Sequence, residues 1–543
     1  MPTITINGQS YEFEDGQTIL QVALDHEIEI PHYCWHPGLS VVANCRICLA
    51  EVHAPNPRND NKVEYVGKLL PTCQTGAVDG MVVRTDSPKA VANQKAVMEY
   101  LLINHPVDCA VCDQAGECHL QDYSYQYGRG QARFQEQKIK QPKKDVGPNI
   151  LLYSDRCIMC TRCVRFTREI SETDELIVDG RGAYEQIDVF PGMALDNEIA
   201  GNVVDLCPVG AFLDKDFLFQ QRVWFLKSTP SIDGLTASGD NLMIEHNDGT
   251  VYRVKPRTNL EVNRYWISDE VRYGWKFVHA EERLHVPAVK GEEPFALEEA
   301  PLAYEAAYAA ITEKAAAAGT IALLVSPMLS SEDAYWLAQW ASSFDGKVVF
   351  GLGPVPFDGE DKTFADGYTV YAEKAPNARG VKRVLESFGT VLDADAFIAA
   401  LGSADVAVIT GNYPSDWITD ALAKAANTPF TVAIDTLANR LTATADVVLP
   451  GATWMEKAGS FENAKGRMQT FDRAIEPIDY CKSEAQLALD LIAARDGVAP
   501  TIFNPAETRQ ALASEKGLEA FVNAVHVPDV APERASDMQL VVL

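Results

Sequence analysis

Between His105 and Cys118 the sequence HPVDCAVCDQAGEC sets one imidazole and three thiols at His-x3-Cys-x2-Cys-x5-Cys spacing. Those donors, His105, Cys109, Cys112 and Cys118, are enough to surround one metal centre. The residues between them are small (Ala110, Ala115, Gly116) or turn-forming (Pro106, Asp108, Asp113), as a short loop wrapping a metal requires. Read alone, this set of three cysteines and one histidine suits a structural zinc site as well as iron. Two further sets flank it: Cys34-x10-Cys45-x2-Cys48-x24-Cys73 upstream, and Cys157-x2-Cys160-x2-Cys163 with a remote Cys207-Pro208 downstream.

The downstream set follows the bacterial ferredoxin pattern, in which three close cysteines are completed by a distant Cys-Pro. The x2 spacing lets three thiolates converge on three corners of a [4Fe–4S] cubane. Zinc ligands more often pair two and two. The upstream set is similar to the [2Fe–2S] ferredoxin pattern C-x4-C-x2-C…C, but its first gap is ten rather than four. Grouped this way, eleven of the twelve cysteines and one histidine make three sets of four. Only Cys481 remains, read as an ordinary buried thiol. Three adjacent sets weigh against zinc for any of them, because clusters in a row serve electron transfer. His32 and His36 flank Cys34 and are read as polar neighbours, since four cysteines already suffice.

Positioning these loops takes ordered elements. Residues 3–30 predict two short strands turning at Gly8 and a helix capped by Thr18. The polar segment His53 to Asn61 reads as a surface insertion, which loop entropy tolerates. Ser87-Pro88 predicts the start of an amphipathic helix carrying Val91, Val97, Met98, Leu101 and Leu102, which delivers His105 to its site. Lys138 to Pro148 reads as a linker or exposed loop, and VRFTREI after Cys163 as a helix. From residue 276 onward apolar runs (GTIALLVSP, KVVFGLG, ADVAVITG, PFTVAID) alternate with helical stretches (SEDAYWLAQWASSF, DWITDALAKAA), a doubly wound α/β pattern. GLG at Gly351–Gly353 is too little for a nucleotide site.

Composition sets the outer bounds. The chain has 543 residues, 47% of them hydrophobic, long enough for several domains. A net charge of −29 excludes a phosphate-gripping surface of the nucleic-acid-binding kind. No apolar run is long enough to span a bilayer. The start, MPTITINGQSYEF, lacks a signal peptide's basic flank and apolar core. Clustered cysteines in a reducing compartment point to metal or redox work.

The ordered motifs Cys34-x10-Cys45-x2-Cys48, HPVDCAVCDQAGECHLQD, CIMCTRCVRF and DLCPVGAF resemble the large iron–sulfur subunit of respiratory complex I, the 75-kDa type. Related N-terminal regions occur in NAD-linked hydrogenases and formate dehydrogenases, which stay open as an alternative for residues 1–217. Residues 222–275 look like the small leading domain of molybdopterin oxidoreductases. They hold no cysteine, so the cluster some relatives carry there has no thiolate ligands. The stretch around Asn463 and Gly466-Arg467 resembles the molybdopterin enzymes in fold.

The resemblance implies five domains: a [2Fe–2S] ferredoxin-like (β-grasp) domain (1–80), a [4Fe–4S] domain with one histidine and three cysteine ligands (81–137), a ferredoxin-type [4Fe–4S] domain (138–217), a cluster-less leading domain (218–275) and a vestigial molybdopterin-oxidoreductase-like α/β domain (276–543). It implies one [2Fe–2S] and two [4Fe–4S] clusters, no molybdopterin and no catalytic residue of the chain's own. Electrons would pass from a flavin-bearing, NADH-oxidising subunit to the Cys34 set, then to the Cys157 set, then to the His105 set, and on toward quinone. The implied partners are that flavin subunit, a small [2Fe–2S] subunit and a ferredoxin-like subunit. The implied location is peripheral, on the cytoplasmic side of a bacterial inner membrane, touching the membrane only through the complex. Two rivals are a self-contained molybdenum enzyme and a zinc-stabilised scaffold.

Overall fold

The computed structural model describes residues 1–526. The chain divides into two compact units, one of residues 1–226 with 364–366 and one of residues 227–363 with 367 onward.

The first unit opens with the expected hairpin, β1 (Thr3–Ile6) and β2 (Gln9–Glu12). Asn7 and Gly8, at φ 49° and 90°, form its tight turn. Thr18 caps α1 (Ile19–Asp25): its hydroxyl accepts from the Gln21 N–H at 3.3 Å, and the Gln21 side chain accepts from the Thr18 N–H at 2.9 Å. Strands β3 (Leu49–Asn56), β4 (Lys62–Pro71) and β5 (Met81–Arg84) complete a sheet of order β2-β1-β5-β3-β4. Here the insertion reading of His53 to Asn61 is corrected. His53 to Asn56 continue β3 and pair with β4, so only the turn at 57–61 leaves the sheet. Backbone pairing carries this arm, and its polar side chains stay in water.

Helix α2 (Pro88–Asn104) starts as expected, with the Ser87 hydroxyl accepting from the Ala90 N–H at 3.3 Å, and ends with His105 as its C-cap. Its buried stripe is narrower than the sequence pattern predicts: Ala90, Gln94 and Met98 are buried, while Val91, Val97, Leu101 and Leu102 are half-buried. Residues four apart form a single line on a helix, and one line is all that this contact covers. Next come α3 (His119–Gln126), β6 (Lys143–Asp145), β7 (Ile150–Tyr153), α4 (Arg162–Glu169), the hairpin β8 (Leu176–Asp179) and β9 (Gln186–Val189), α5 (Asn202–Leu206) and β10 (Phe212–Asp214). The Lys-rich connector is thus not all loop, since β6 forms the edge of a β10-β7-β6 sheet.

The second unit begins with the antiparallel sheet β11 (Lys227–Ile232), β12 (Asn241–Asn247) and β13 (Thr250–Pro256). Then follow β14 (Ala288–Val289), β15 (Thr320–Val325), β16 (Lys347–Leu352), a ribbon of β17 (Lys362–Thr363) and β18 (Thr369–Val370), β19 (Val391–Leu392), β20 (Val406–Thr410), β21 (Phe430–Asp435) and β22 (Val447–Pro450). The main sheet has the order β14-β22-β21-β20-β15-β16-β19 and is parallel except for β14. From β15 the chain winds first to one side and then to the other, the doubly wound arrangement that the apolar runs predict. A Cβ on Gly351 would stand 2.4 Å from the Phe397 ring, so that glycine serves close packing. Among the described residues no helix is long and apolar enough to cross a membrane.

Candidate metal centres

All twelve predicted ligands lie in the first unit. In the upstream set the Cys48 and Cys73 sulfurs are 3.5 Å apart, and Cys34 hydrogen-bonds through its side chain to both Cys45 and Cys73. The Cys45 and Cys73 thiols donate to Cys34, which pulls its pKa down; the same contacts and burial push those two thiols up. The backbone N–H groups of Cys45 and Asn44 also turn toward the Cys34 sulfur. Ala43 and Arg46 hold positive φ of 50° and 60°, a conformation that side chains resist. Such strain next to ligands fits a loop folded around a group rather than around itself.

The downstream set shows the same device. Met159 and Thr161, at φ 53° and 59°, alternate with Cys157, Cys160 and Cys163. The Met159 N–H points at the Cys157 sulfur at 3.3 Å. Helix α5 ends at Cys207, whose sulfur faces the backbone N–H groups of Val209, Ala211 and Phe212. Burial raises all four thiols, and charge on neighbouring sulfurs adds to this at Cys157, Cys160 and Cys163. Neighbouring thiols in a pocket that disfavours their anions suit a site where metal displaces the protons.

In the middle set Cys112 and Cys118 are buried and Cys109 is exposed. Burial pushes the Cys118 thiol up to about 12 and draws the His105 imidazole down to about 4. His105 is therefore neutral at physiological pH, the form that binds metal. Its Nδ1 is buried with no hydrogen-bond partner, while the ring hydrogen-bonds to the Arg156 backbone. One nitrogen tied to backbone and the other left open is the usual posture of a metal-ligating histidine. The link of His105 to its thiols runs through Arg156, which faces both His105 and Cys112. Gly210, just beyond Cys207, packs so near that a Cβ there would meet the Cys112 sulfur at 2.3 Å. Among the described residues no group of three or more His, Cys, Asp or Glu converges on a single ion. The fit of each set to a cluster therefore rests on its donor chemistry.

Several residues around these sets carry no motif of their own. Arg156 donates to Asp108 at 2.9 Å and lies 4.3 Å from the Tyr153 ring centre. Arg162 and Arg165 reach from α4 to the Cys34 loop. His119 is a second half-buried imidazole with a buried, unpartnered Nδ1, lowered to about 3 by burial, and its surroundings include Arg162 and His32 rather than Arg156. Arginines inside CIMCTRCVRF were visible in the sequence; only folding reveals that their heads turn inward. His32 and His36 both engage nearby backbone: His32 Nδ1 meets the Ile30 carbonyl at 2.8 Å, and His36 Nδ1 accepts from the Gly38 N–H at 3.1 Å. Cys481 is buried and donates to the Leu284 carbonyl at 3.0 Å.

Comparison with known families assigns the same regions. Residues 1–88 match a 2Fe-2S iron–sulfur cluster binding domain. Residues 94–133 match the NADH-ubiquinone oxidoreductase-G iron–sulfur binding region, and residues 147–213 the ferredoxin-like domain of NADH-quinone oxidoreductase subunit 3. Residues 226–276 match the 4Fe-4S domain of NDSU1/NuoG-like proteins. The iron–sulfur part of the chain is thus similar to NuoG-like subunits of NADH-quinone oxidoreductase. Among curated relatives, the mitochondrial NADH dehydrogenase [ubiquinone] iron-sulfur protein 1 of Solanum tuberosum is 40% identical over 53% of this chain and 37% of its own length. The NADH-quinone oxidoreductase G subunit of Rickettsia bellii is 40% identical over 51% of this chain and 39% of its own. The 78 kDa subunit of Neurospora crassa is 42% identical over 54% and 38%. The matched stretch thus spans well under half the length of these relatives. Domains of the 2Fe-2S and 4Fe-4S types are present. The 226–276 match contains no cysteine, so the 4Fe-4S character of that domain type has no thiolate basis here. Residues 394–494 match a molybdopterin oxidoreductase domain. A solved NAD+-reducing [NiFe]-hydrogenase chain is 26% identical, covering 41% of this chain and 91% of its own, at a TM-score of 0.35.

Proposed function

We propose that the chain is an electron-transfer subunit of a proton-pumping NADH:quinone oxidoreductase, divided into the five domains that the sequence implies. Cys34, Cys45, Cys48 and Cys73 hold a [2Fe–2S] cluster. His105, Cys109, Cys112 and Cys118 hold one [4Fe–4S] cluster, and Cys157, Cys160, Cys163 and Cys207 hold another. Bound there, such clusters supply one-electron redox capacity at potentials set by ligand charge, N–H···S bonds and burial. The chain's own residues fix the sulfurs, turn backbone N–H groups toward them and keep water away. The observation that carries this reading is the presence of three complete donor sets in one compact unit, matched in order by iron–sulfur domain families. The flavin-bearing, small [2Fe–2S] and ferredoxin-like subunits are the partners, and the membrane is met only through them, on the cytoplasmic side. The α/β unit is a scaffold without molybdopterin: Asn463 and Arg467, where the molybdopterin likeness lies, are engaged with the Ser238 carbonyl and with Glu261.

Metal analysis of the full-length protein tests this. About ten iron atoms (two, four and four) and as many acid-labile sulfides are expected. Zinc without sulfide, or stoichiometric molybdenum, overturns the reading. Pulsed EPR of the reduced protein should find nitrogen coupling of imidazole size at one [4Fe–4S] centre, absent in His105→Cys. Coupling that survives in that variant, but not in His119→Leu, transfers the ligand role to His119. Cys481→Ser serves as control and should leave every cluster signal intact.

A further inference from the structure

Arg162 and Arg165 sit on α4 within the downstream cysteine set, both buried. Arg162 donates to the Leu206 carbonyl at 3.3 Å, next to Cys207, and to the Trp35 carbonyl at 2.6 Å, next to Cys34. Arg165 donates to the carbonyls of Cys34, Ser40 and, at 3.4 Å, Cys160. Each guanidinium thus spans two cysteine sets. Neither forms an ion pair with a carboxylate among the described residues, and the Nε of each is buried without a partner. The groups near Arg162 able to carry negative charge include the sulfurs of Cys160, Cys207 and Cys34; Arg165 and the imidazoles of His32, His36 and His119 are also close.

A buried cation without a counter-charge is costly. Carbonyl dipoles offset part of that cost, and the remaining negative charge available here belongs to the sulfur ligands. Arginine suits the position because its planar fork can hold carbonyls from two loops at once, which a lysine ammonium on a flexible stem cannot do with fixed geometry. Adding an electron to a cluster adds negative charge, and a fixed cation at low dielectric favours that.

We propose that Arg162 and Arg165 are positioning residues that lock the Cys34 loop to the Cys157–Cys207 set and hold the reduction potentials of both clusters up. The inference rests on the reading that these sets hold clusters. Iron and sulfide are therefore counted first in the unaltered full-length holoprotein: a failure there removes that reading, whereas a failure of the variants with this count intact removes only the arginine assignment. Redox titration followed by EPR then compares Arg162→Gln and Arg165→Gln with Arg168→Gln. Arg168 lies on the same helix but is exposed, 3.3 Å from Asp174. In the two inward variants the reduced-to-oxidised ratio of both clusters at fixed potential should fall by on the order of tenfold; in Arg168→Gln it should not move. Inward Gln variants that load fully and keep both potentials overturn the proposal. Should they fail to load, Arg162→Lys and Arg165→Lys decide. Retained charge with a lost fork should preserve the potentials but weaken or broaden the magnetic coupling between the two reduced clusters. Unchanged coupling overturns the proposal as well.

Discussion

Arg162 and Arg165 of the first unit keep different company from several cations of the second, although Arg156 of the first unit does pair with a carboxylate, Asp108. In the second unit Lys457 lies 2.9 Å from Asp333 and also bonds Glu484; Arg283 lies 2.9 Å from Glu456, and Arg509 lies 2.9 Å from Glu332. These charges are neutralised by the polypeptide itself. In the first unit Arg162 and Arg165 donate to carbonyl oxygens, with the sulfurs of Cys160, Cys207 and Cys34 near Arg162. A buried charge always needs an opposite one. Cations matched by carboxylates suit a self-contained scaffold; a pair of arginines left to carbonyls beside sulfur ligands suits a place that holds something anionic.

The sharpest way to break this comparison is to touch a sulfur pocket without touching a ligand. Gly210→Ala would drive a methyl group into the Cys112 sulfur. The expected result is loss of the middle cluster, about four iron atoms, with the [2Fe–2S] EPR signal of the Cys34 set retained. Full iron content would mean that the loop after Cys207 yields easily.

A smaller effect is expected from Lys457→Met in the scaffold. It leaves Asp333 and Glu484 buried together without their cation, and burial already holds the Glu484 carboxyl up at about 7. The expected loss is about 3–5 kcal/mol in urea denaturation, with iron content unchanged. If iron is lost while stability holds, the division of labour between the units is wrong.

The smallest effect concerns pH. Burial raises Asp233 from 3.8 to about 6, against bonds from Thr236, Ser238 and the Leu235 N–H, and raises the neighbouring Asp240 as well. The folded state therefore keeps a proton that the unfolded chain releases above about pH 4. Stability from Asp233 is full at low pH and declines by about 3 kcal/mol as pH rises from about 4 to about 6. Asp233→Asn should flatten that slope in denaturation curves taken across this range. An unchanged slope would assign it to other carboxyls.

Much of this was legible in the residues. Thr18, Gly8 and Ser87-Pro88 act locally, so their capping and turning roles follow from neighbours a few positions away. The apolar runs of the main sheet are buried on both faces, and such strands announce themselves. The β3–β4 arm was missed because polar, turn-rich sequence hides backbone pairing. The narrow face of α2 was missed because hydrophobic periodicity reports what a helix could bury, not how much partner surface it meets. The donor sets are a reading from spacing, whereas the inward arginines carry no signal at all: Arg156, Arg162 and Arg165 differ from the exposed Arg168 only in which way the folded chain turns them.

One detail of the first unit bears on how such a protein can be rebuilt. The His119 N–H donates to the Pro208 carbonyl at 3.1 Å, Gly210 abuts Cys112, and Arg156 pairs with Asp108. The middle and downstream sets are separate in sequence but laced together in space. A chimera that takes residues 81–137 from one relative and 138–217 from another would thus have to carry matched pairs across the seam. Grafting either segment alone as a portable electron carrier would tear three fastenings at once.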